Sequence, residues 1–232
     1  YTRFWGQCVE ASTGTTGRDA SGSFRSRSRA RRPDIRNLQD CLHLLTPDKK
    51  MVGASHIGTS GWSYTHWVGP FYPPGLPQRS WLSYYAERFR TVELNSPFYR
   101  LPPRKIFEGW QAKVPPGFVF SVKANRFITH VRRLNDPVEP LARLFDSVKG
   151  LGGKCGPLLF QLPPTMQADL DRLEKFLAAL PKGQRTAFEF RHPSWFDEGV
   201  YELLRQADAA LCISSTPNYP LEVRATASYV YA

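Results

Sequence analysis

Phe118-Val119-Phe120-Ser121-Val122-Lys123 reads as a strand with two unlike faces. Side chains alternate across a strand, so Phe118, Phe120 and Val122 share one side and Val119, Ser121 and Lys123 the other. One face is wholly apolar. The other turns polar towards its C-terminal end. The same phasing recurs on both sides of this stretch. In Thr91–Asn95, Val92 and Leu94 oppose Thr91, Glu93 and Asn95. In Leu158–Gln161, Leu158 and Phe160 oppose Leu159 and Gln161. In Ala187–Arg191, Phe188 and Phe190 oppose Ala187, Glu189 and Arg191. The remaining strand candidates are His56–Thr59, Ala210–Ser214 and Tyr229–Tyr231.

Helical spacing fills the gaps. Ser80–Phe89 puts Leu82, Tyr85 and Phe89 on one face. Pro103–Val114 offers Ile106, Phe107 and Trp110. Val138–Leu151 offers Leu141, Leu144, Phe145 and Val148, with Gly152-Gly153 as a stop. Asp169–Leu180 offers Leu170, Leu173, Leu177 and Leu180, and Ser194–Gln206 opens on a serine suited to capping. Strands alternating with helices imply a parallel sheet with helical crossovers. A doubly wound sheet is covered on both faces, so both faces of its strands are apolar. A barrel carries helices outside only, and its upper interior can be polar. The phasing selects an α/β, TIM-barrel-like (β/α) barrel whose upper interior holds Glu93, Asn95, Lys123, Gln161, Glu189 and Arg191.

Size and composition bound this reading. The chain has 232 residues, 41% hydrophobic and 13% aromatic, with 31 Lys+Arg against 20 Asp+Glu. Such a chain can bury a sizeable core. Its apolar runs, such as Pro157–Phe160, are too short to cross a bilayer. Four scattered cysteines (Cys8, Cys41, Cys155, Cys212) form no CxxC pair, which fits a cytoplasmic protein with reduced thiols and no membrane partner. Ten of the basic and five of the acidic residues lie in residues 1–50. That segment includes Ser21-Gly22-Ser23-Phe24-Arg25-Ser26-Arg27-Ser28-Arg29-Ala30-Arg31-Arg32 and has no sustained apolar period. It is expected to be a basic, Arg/Ser-rich, disordered extension, and the barrel domain to run over 56–232. From His56 there are 177 residues, against the roughly 250 of a full TIM barrel. Seven strand candidates therefore imply an incomplete barrel with an open seam.

The motifs carry a resemblance. Ile57-Gly58-Thr59-Ser60-Gly61-Trp62-Ser63-Tyr64 is followed by Trp67 and Phe71-Tyr72-Pro73. Then come Val92-Glu93-Leu94-Asn95-Ser96-Pro97-Phe98-Tyr99-Arg100, Phe120-Ser121-Val122-Lys123, Thr129-His130, Leu159-Phe160-Gln161-Leu162-Pro163-Pro164 and Phe188-Glu189-Phe190-Arg191-His192-Pro193-Ser194-Trp195. This series resembles the domain-of-unknown-function family 72 (YecE-like). The resemblance implies a TIM-barrel-like fold and no proven activity. Its barrel has been likened to the endonuclease IV and xylose isomerase class, which is fold analogy alone. Two departures stand out: family members usually continue past the Tyr-Val-Tyr strand, and Ser214-Ser215 falls where the family often has an aspartate.

The chemistry expected of the strand ends follows from residue type. Glu93 and Glu189 form a carboxylate pair suited to acid and base work, or else to ion pairing of Glu189 with Arg191 or Lys123 and of Glu93 with Arg100. Lys123 is a cation or anion anchor, and nothing else supports Schiff-base chemistry. Catalytic candidates are Glu93, Lys123, Glu189, Arg191 and His130, with His130 and His192 each able to move protons or simply to cap a strand end. Arg100, Arg126, Arg132, Arg133, Arg191 and Lys123 suit a phosphate or carboxylate. Substrate-contact candidates are Trp62, Asn95, Tyr99, Arg100, Gln161, His192 and Trp195, the aromatics among them suited to stacking on a sugar or base. Large rings such as Trp67, Phe71 and Phe98 read better as packing. Gly58-Thr59-Ser60-Gly61 is small enough to cradle an anion but lacks phosphate-loop spacing. Glu93 and Glu189 could also hold a divalent metal with His130 or His192, but no HxH or HExxH pair is present, so a metal is not favoured and no cofactor is expected. The expected ligand is a small anionic or sugar-like molecule, acted on by an enzyme. The alternatives are a nucleic acid, by fold analogy, or a non-catalytic fragment.

Overall fold

The computed structural model describes residues 54–216 and 218–232, and the backbone of residues 2–7. Eight strands form one sheet. They are β1 (Thr2–Gln7), β2 (Ser55–Ser60), β3 (Thr91–Leu94), β4 (Val119–Lys123), β5 (Cys155–Gln161), β6 (Thr186–Glu189), β7 (Ala209–Leu211) and β8 (Tyr229–Tyr231). Six of them, β2 to β7, lie side by side in chain order, all parallel, and curl into a half-barrel. β8 continues in the same sense, joined to β7 by a parallel bridge between Cys212 and Tyr231, with Ile213 N donating to Tyr231 O at 2.9 Å. β1 runs antiparallel to both β8 and β2 and spans the seam expected to be open. The expectation of disorder over 1–50 otherwise falls outside the described residues.

The helices are α1 (Trp81–Ala86), the short α2 (Ser96–Tyr99), α3 (Arg104–Gln111), α4 (Val138–Val148), α5 (Leu170–Ala178) and α6 (Glu198–Gln206). They pack one side of the sheet. Val92, Leu94, Phe118, Phe120, Val122, Leu158, Phe160, Phe188 and Phe190 join one apolar core with Leu82, Phe107, Leu144, Leu173 and Leu204 of the helices. The opposite strand faces form a separate small cluster of Leu159, Ala187, Ala210, Cys212, Tyr229 and Tyr231. This is the layered arrangement of a barrel, with a greasy jacket outside and a thin apolar floor inside.

Some details differ from the sequence reading. α6 is capped by Asp197, whose side chain accepts from Gly199 N at 2.9 Å, and not by Ser194. Ser194 instead sits in a tight turn over Pro193–Trp195, where its hydroxyl accepts from Ala168 N. Ile106 and Leu170 face solvent, while Phe107 and Phe176 are buried, so α3 and α5 are rotated slightly from the expected stripe. At the foot of the site, β2 and β3 approach so closely that a Cβ on Gly58 meets Thr91 O at 2.1 Å. Glycine is required there by contact, not by conformation.

Candidate functional site

The polar strand ends gather where the phasing places them. Glu93 and Glu189 are 2% and 1% exposed. Ser60 Oγ donates to Glu93 Oε1 at 2.8 Å and Tyr231 Oη donates to Oε2 at 2.6 Å. Tyr231 Oη also lies 2.7 Å from Ser121 Oγ, and Asn95 Nδ2 donates to Ser60 Oγ at 2.5 Å. A carboxylate only accepts, so the Ser60 and Tyr231 protons both point at Glu93. Ser121 must then donate to Tyr231. The chain of donors is fixed from both ends, Asn95 to Ser60 to Glu93 and Ser121 to Tyr231 to Glu93. It draws together β2, β3, β4 and β8. Of these residues the alternation places only Ser121 on the interior face; Ser60 was read as part of the glycine turn, and Tyr231 only as a strand residue.

Glu93 is thus bonded by hydroxyls where an ion pair with Arg100 was one expectation, and Arg100 is exposed. The other expected pair is present. Arg191 Nε and Nη2 both donate to Glu189 Oε1 at 3.1 Å. Arg191 also lies 4.9 Å from the Tyr219 ring centroid.

A basic group lies beyond β4. Phe127–Val131 forms a π-helical turn, an arrangement enriched at functional sites. The chain then passes through Arg133 and Leu134 with φ of 50° and 67°, a region that L-residues rarely occupy. Burial of Leu134 and its N–H bond to Ile128 O hold this conformation. Thr129 Oγ1 lies 2.9 Å from His130 Nδ1. Burial lowers the His130 pKa, and the charges of Arg126, Arg191, Lys123 and Arg133 lower it further. His130 is therefore held towards its neutral form by burial and by cations from β4, its following loop and the residues after β6. Phe98, from α2, packs between two members of this group, with the His130 ring edge-on at 5.1 Å and Lys123 Nζ 4.7 Å from its centroid.

The other candidates are distributed differently. Gln161 ends β5, opposite Glu189 on β6, and is 4% exposed. Tyr99 is 73% exposed at the rim. His192 bonds Ser194 through Nδ1 at 2.8 Å, the ordinary capping role. Trp195, expected as a ligand contact, presents no surface to the site. It is fully buried, stacked on Phe190 at 4.6 Å, and donates through Nε1 to Met166 O at 2.7 Å. Trp62 is half-buried, edge-on to Trp110 at 5.6 Å and packed against the helix-side core. Nor does the glycine turn cradle an anion: Thr59 N donates to Tyr85 Oη and Gly61 N to Glu93 O, so these donors are spent on the protein. Among the described residues, no three His, Cys, Asp or Glu side chains gather as metal ligands. Nor is any described helix long and apolar enough to cross a membrane.

Residues 56–232 match the family model described as a protein of unknown function, DUF72. The chain belongs to the DUF72 family. It is 29% identical over 159 residues to the UPF0759 protein YunF of Bacillus subtilis, covering 63% of this chain and 54% of that one. It is 29% identical over 148 residues to YecE of Escherichia coli, covering 63% and 52%. The chain therefore spans about half the length of the curated relatives it matches. A DUF72 crystal structure from Thermotoga maritima superposes with a TM-score of 0.65 at 32% identity, over 73% of this chain and 70% of that one. A DUF72 protein from Enterococcus faecalis superposes at 0.60 with 21% identity, over 73% and 65%, which speaks to the fold alone.

Proposed function

We propose that this DUF72 protein binds a phosphorylated, sugar-like small molecule at the strand ends and acts on it there. The observation that carries the reading is the convergence of Lys123, Arg126, Arg133 and Arg191 on His130, at the rim that also holds Glu93 and Glu189. These cations, one of them shared with Glu189, set a positive field around a neutral imidazole, and arginine suits phosphate through paired donors. His130 is then a neutral group able to move a proton beside the bound anion, and Glu189 a carboxylate held by Arg191. The test is calorimetric titration with inorganic phosphate and with a sugar phosphate, on wild type and on Arg126→Gln with Arg133→Gln. Binding that falls at least tenfold in the double variant supports the reading. Equal affinity in both proteins, or no binding at low salt, removes it. Turnover, once a substrate is found, should be lost in Glu189→Gln while the fold is kept.

A second reading, single-stranded nucleic acid on the same rim, is favoured by one observation. Tyr99 is 73% exposed and Phe127 43% exposed, with the Arg132 guanidinium 5.4 Å from the Phe127 centroid. Aromatics beside arginines suit stacked bases. Oligonucleotide affinity that drops steeply with added salt, and drops again in Tyr99→Ala, distinguishes this from the small-molecule reading.

A further inference from the structure

We infer that Thr129 is a positioning residue that fixes the His130 proton on Nε2, so that His130 meets the bound anion as a hydrogen-bond donor. This rests on the anion-binding reading above and narrows the part His130 plays in it, from giving or taking a proton to giving a hydrogen bond. Thr129 lies inside the π-helical turn and is 0% exposed. Among the described residues, its hydroxyl has one hydrogen-bond partner, His130 Nδ1 at 2.9 Å. A hydroxyl carries one proton and two lone pairs, and a neutral imidazole carries one N–H and one bare nitrogen. If Nδ1 held the imidazole proton, it would donate to Thr129 Oγ1, and the Thr129 proton would be buried with no acceptor. A buried donor left unmet is a costly defect and a rare one. The opposite arrangement satisfies both groups. Thr129 donates to Nδ1, and the single proton of the neutral ring sits on Nε2.

Nε2 is the ring nitrogen that remains for a ligand. Among the described residues, the hydrogen bond of the His130 ring is the one at Nδ1, and the residue is only partly buried. Phe98 packs against the ring at 84° and 5.1 Å, which steadies its plane. The surrounding charges suit a donor there. Lys123, Arg126, Arg133 and Arg191 act with burial to keep the ring neutral. A neutral ring adds a directed N–H to the basic rim without adding a further like charge to it. Two of the neighbouring arginines already have protein partners, Arg191 with Glu189 and Arg133 with Thr165 at 3.3 Å. A donor that holds its proton in one fixed place therefore complements them. The group that fits it is an unprotonated oxygen of a phosphate or carboxylate. His130 cannot serve as a base in this state, because its one lone pair is taken up by Thr129.

Long-range proton–nitrogen NMR correlation of the histidine rings tests this on the full chain at neutral pH, with the His130 signals assigned by their loss in His130→Gln. In wild type the Nε2–H form should outnumber the Nδ1–H form by at least about tenfold, the scale of one unmet buried donor. In Thr129→Val, which keeps the shape without the hydroxyl, that ratio should fall to about threefold or less, because Nδ1 has lost the donor that held it bare. Thr129→Ser, which keeps the hydroxyl, should retain the wild-type ratio. Inorganic phosphate should then shift the Nε2 signal and its proton while Nδ1 stays unprotonated. A wild-type ring with its proton on Nδ1 overturns the inference, even if Thr129→Val folds poorly. So does a ratio unchanged in a folded Thr129→Val, or a ring that takes up a second proton when phosphate binds. Phosphate that binds by calorimetry without moving the His130 signals also overturns it, and each of these results leaves the anion site standing. If phosphate does not bind at all, the anion site itself is refuted, and this inference with it.

Discussion

Removing one oxygen atom, by Tyr231→Phe, should measurably loosen the whole sheet. Tyr231 is fully buried on β8, and its hydroxyl bonds Glu93 Oε2 at 2.6 Å and Ser121 Oγ at 2.7 Å. The first is a charge-assisted bond, worth about 1.5–3 kcal/mol, because the acceptor is a carboxylate taken out of water. The second is neutral, worth about 1 kcal/mol, and part of it returns as Ser121 rotates to another partner. The phenylalanine ring fills nearly the same volume, so the cavity contribution is small. The expected loss is about 2–3 kcal/mol. At a urea slope of about 2–3 kcal/mol per molar for a domain of this size, the unfolding midpoint should fall by about 1 M with the slope unchanged. Ser60→Ala removes the donor to the other carboxylate oxygen and should cost about as much. Because both hydroxyls act on Glu93, the double variant should lose less or more than the sum, by at least 0.5 kcal/mol. Glu93→Gln should be as damaging as either, since its amide turns an N–H towards a hydroxyl that already donates there. A midpoint shift below about 0.2 M in Tyr231→Phe would refute the reasoning, because it would mean that the network adds nothing to the fold.

Three other outcomes follow from the same geometry. Trp195→Ala should destabilise by about 3–5 kcal/mol in the same urea assay, because it empties a fully buried site and breaks both the Phe190 stack and the bond to Met166 O; a loss under 1 kcal/mol would return Trp195 to the ligand-contact set. Burial pushes the Cys155 thiol up to about 11, so it should resist iodoacetamide at pH 8 in the folded protein and react once urea is added, whereas labelling at equal rates in both states would contradict its placement. His130 and His56 both have pKa values lowered below 6.5, His130 by burial and its ring of cations, His56 by burial and Arg185. Between the lowered value and 6.5 the unfolded chain binds more protons than the folded one, so stability is whole above pH 6.5, declines as pH falls through it, and levels off below the folded value. Melting temperatures from pH 8 to 5 should show that decline, and His130→Gln should remove part of it; a variant with the full wild-type slope would show that His130 is not held neutral.

The sheet was legible because barrel strands state their two environments in plain alternation. Phe118, Phe120 and Val122 against Val119, Ser121 and Lys123 is enough to assign jacket and interior, and every strand from β3 to β6 obeys it. The candidate site was legible only in part, for three physical reasons. Aromatic residues read alike whether they stack on a ligand or on each other, so Trp195 was misplaced until its partner Phe190 was known. Hydroxyl networks have no sequence period, so the links from Ser60, Ser121 and Tyr231 to Glu93 became visible only when the curled sheet brought the Tyr231 side chain of β8 to those of β3 and β4. And β1 lies in a segment whose composition argues for disorder: pairing with β2 and β8 supplies backbone partners that no local pattern encodes.

These contacts also separate the roles of two carboxylates that look alike in sequence. Glu93 accepts a hydroxyl proton at each oxygen, and both donors are locked by their own donors behind them. Its position binds β2, β3 and β8, which makes it a clasp on the barrel seam. Glu189 differs on each count. It accepts twice from Arg191, whose guanidinium also faces the Tyr219 ring. An anion drawn to the basic rim competes with Glu189 for the Arg191 guanidinium. Under the proposed reading, Glu189 meets the ligand while Glu93 stays fixed. Glu93→Gln should therefore damage stability first, and Glu189→Gln activity first.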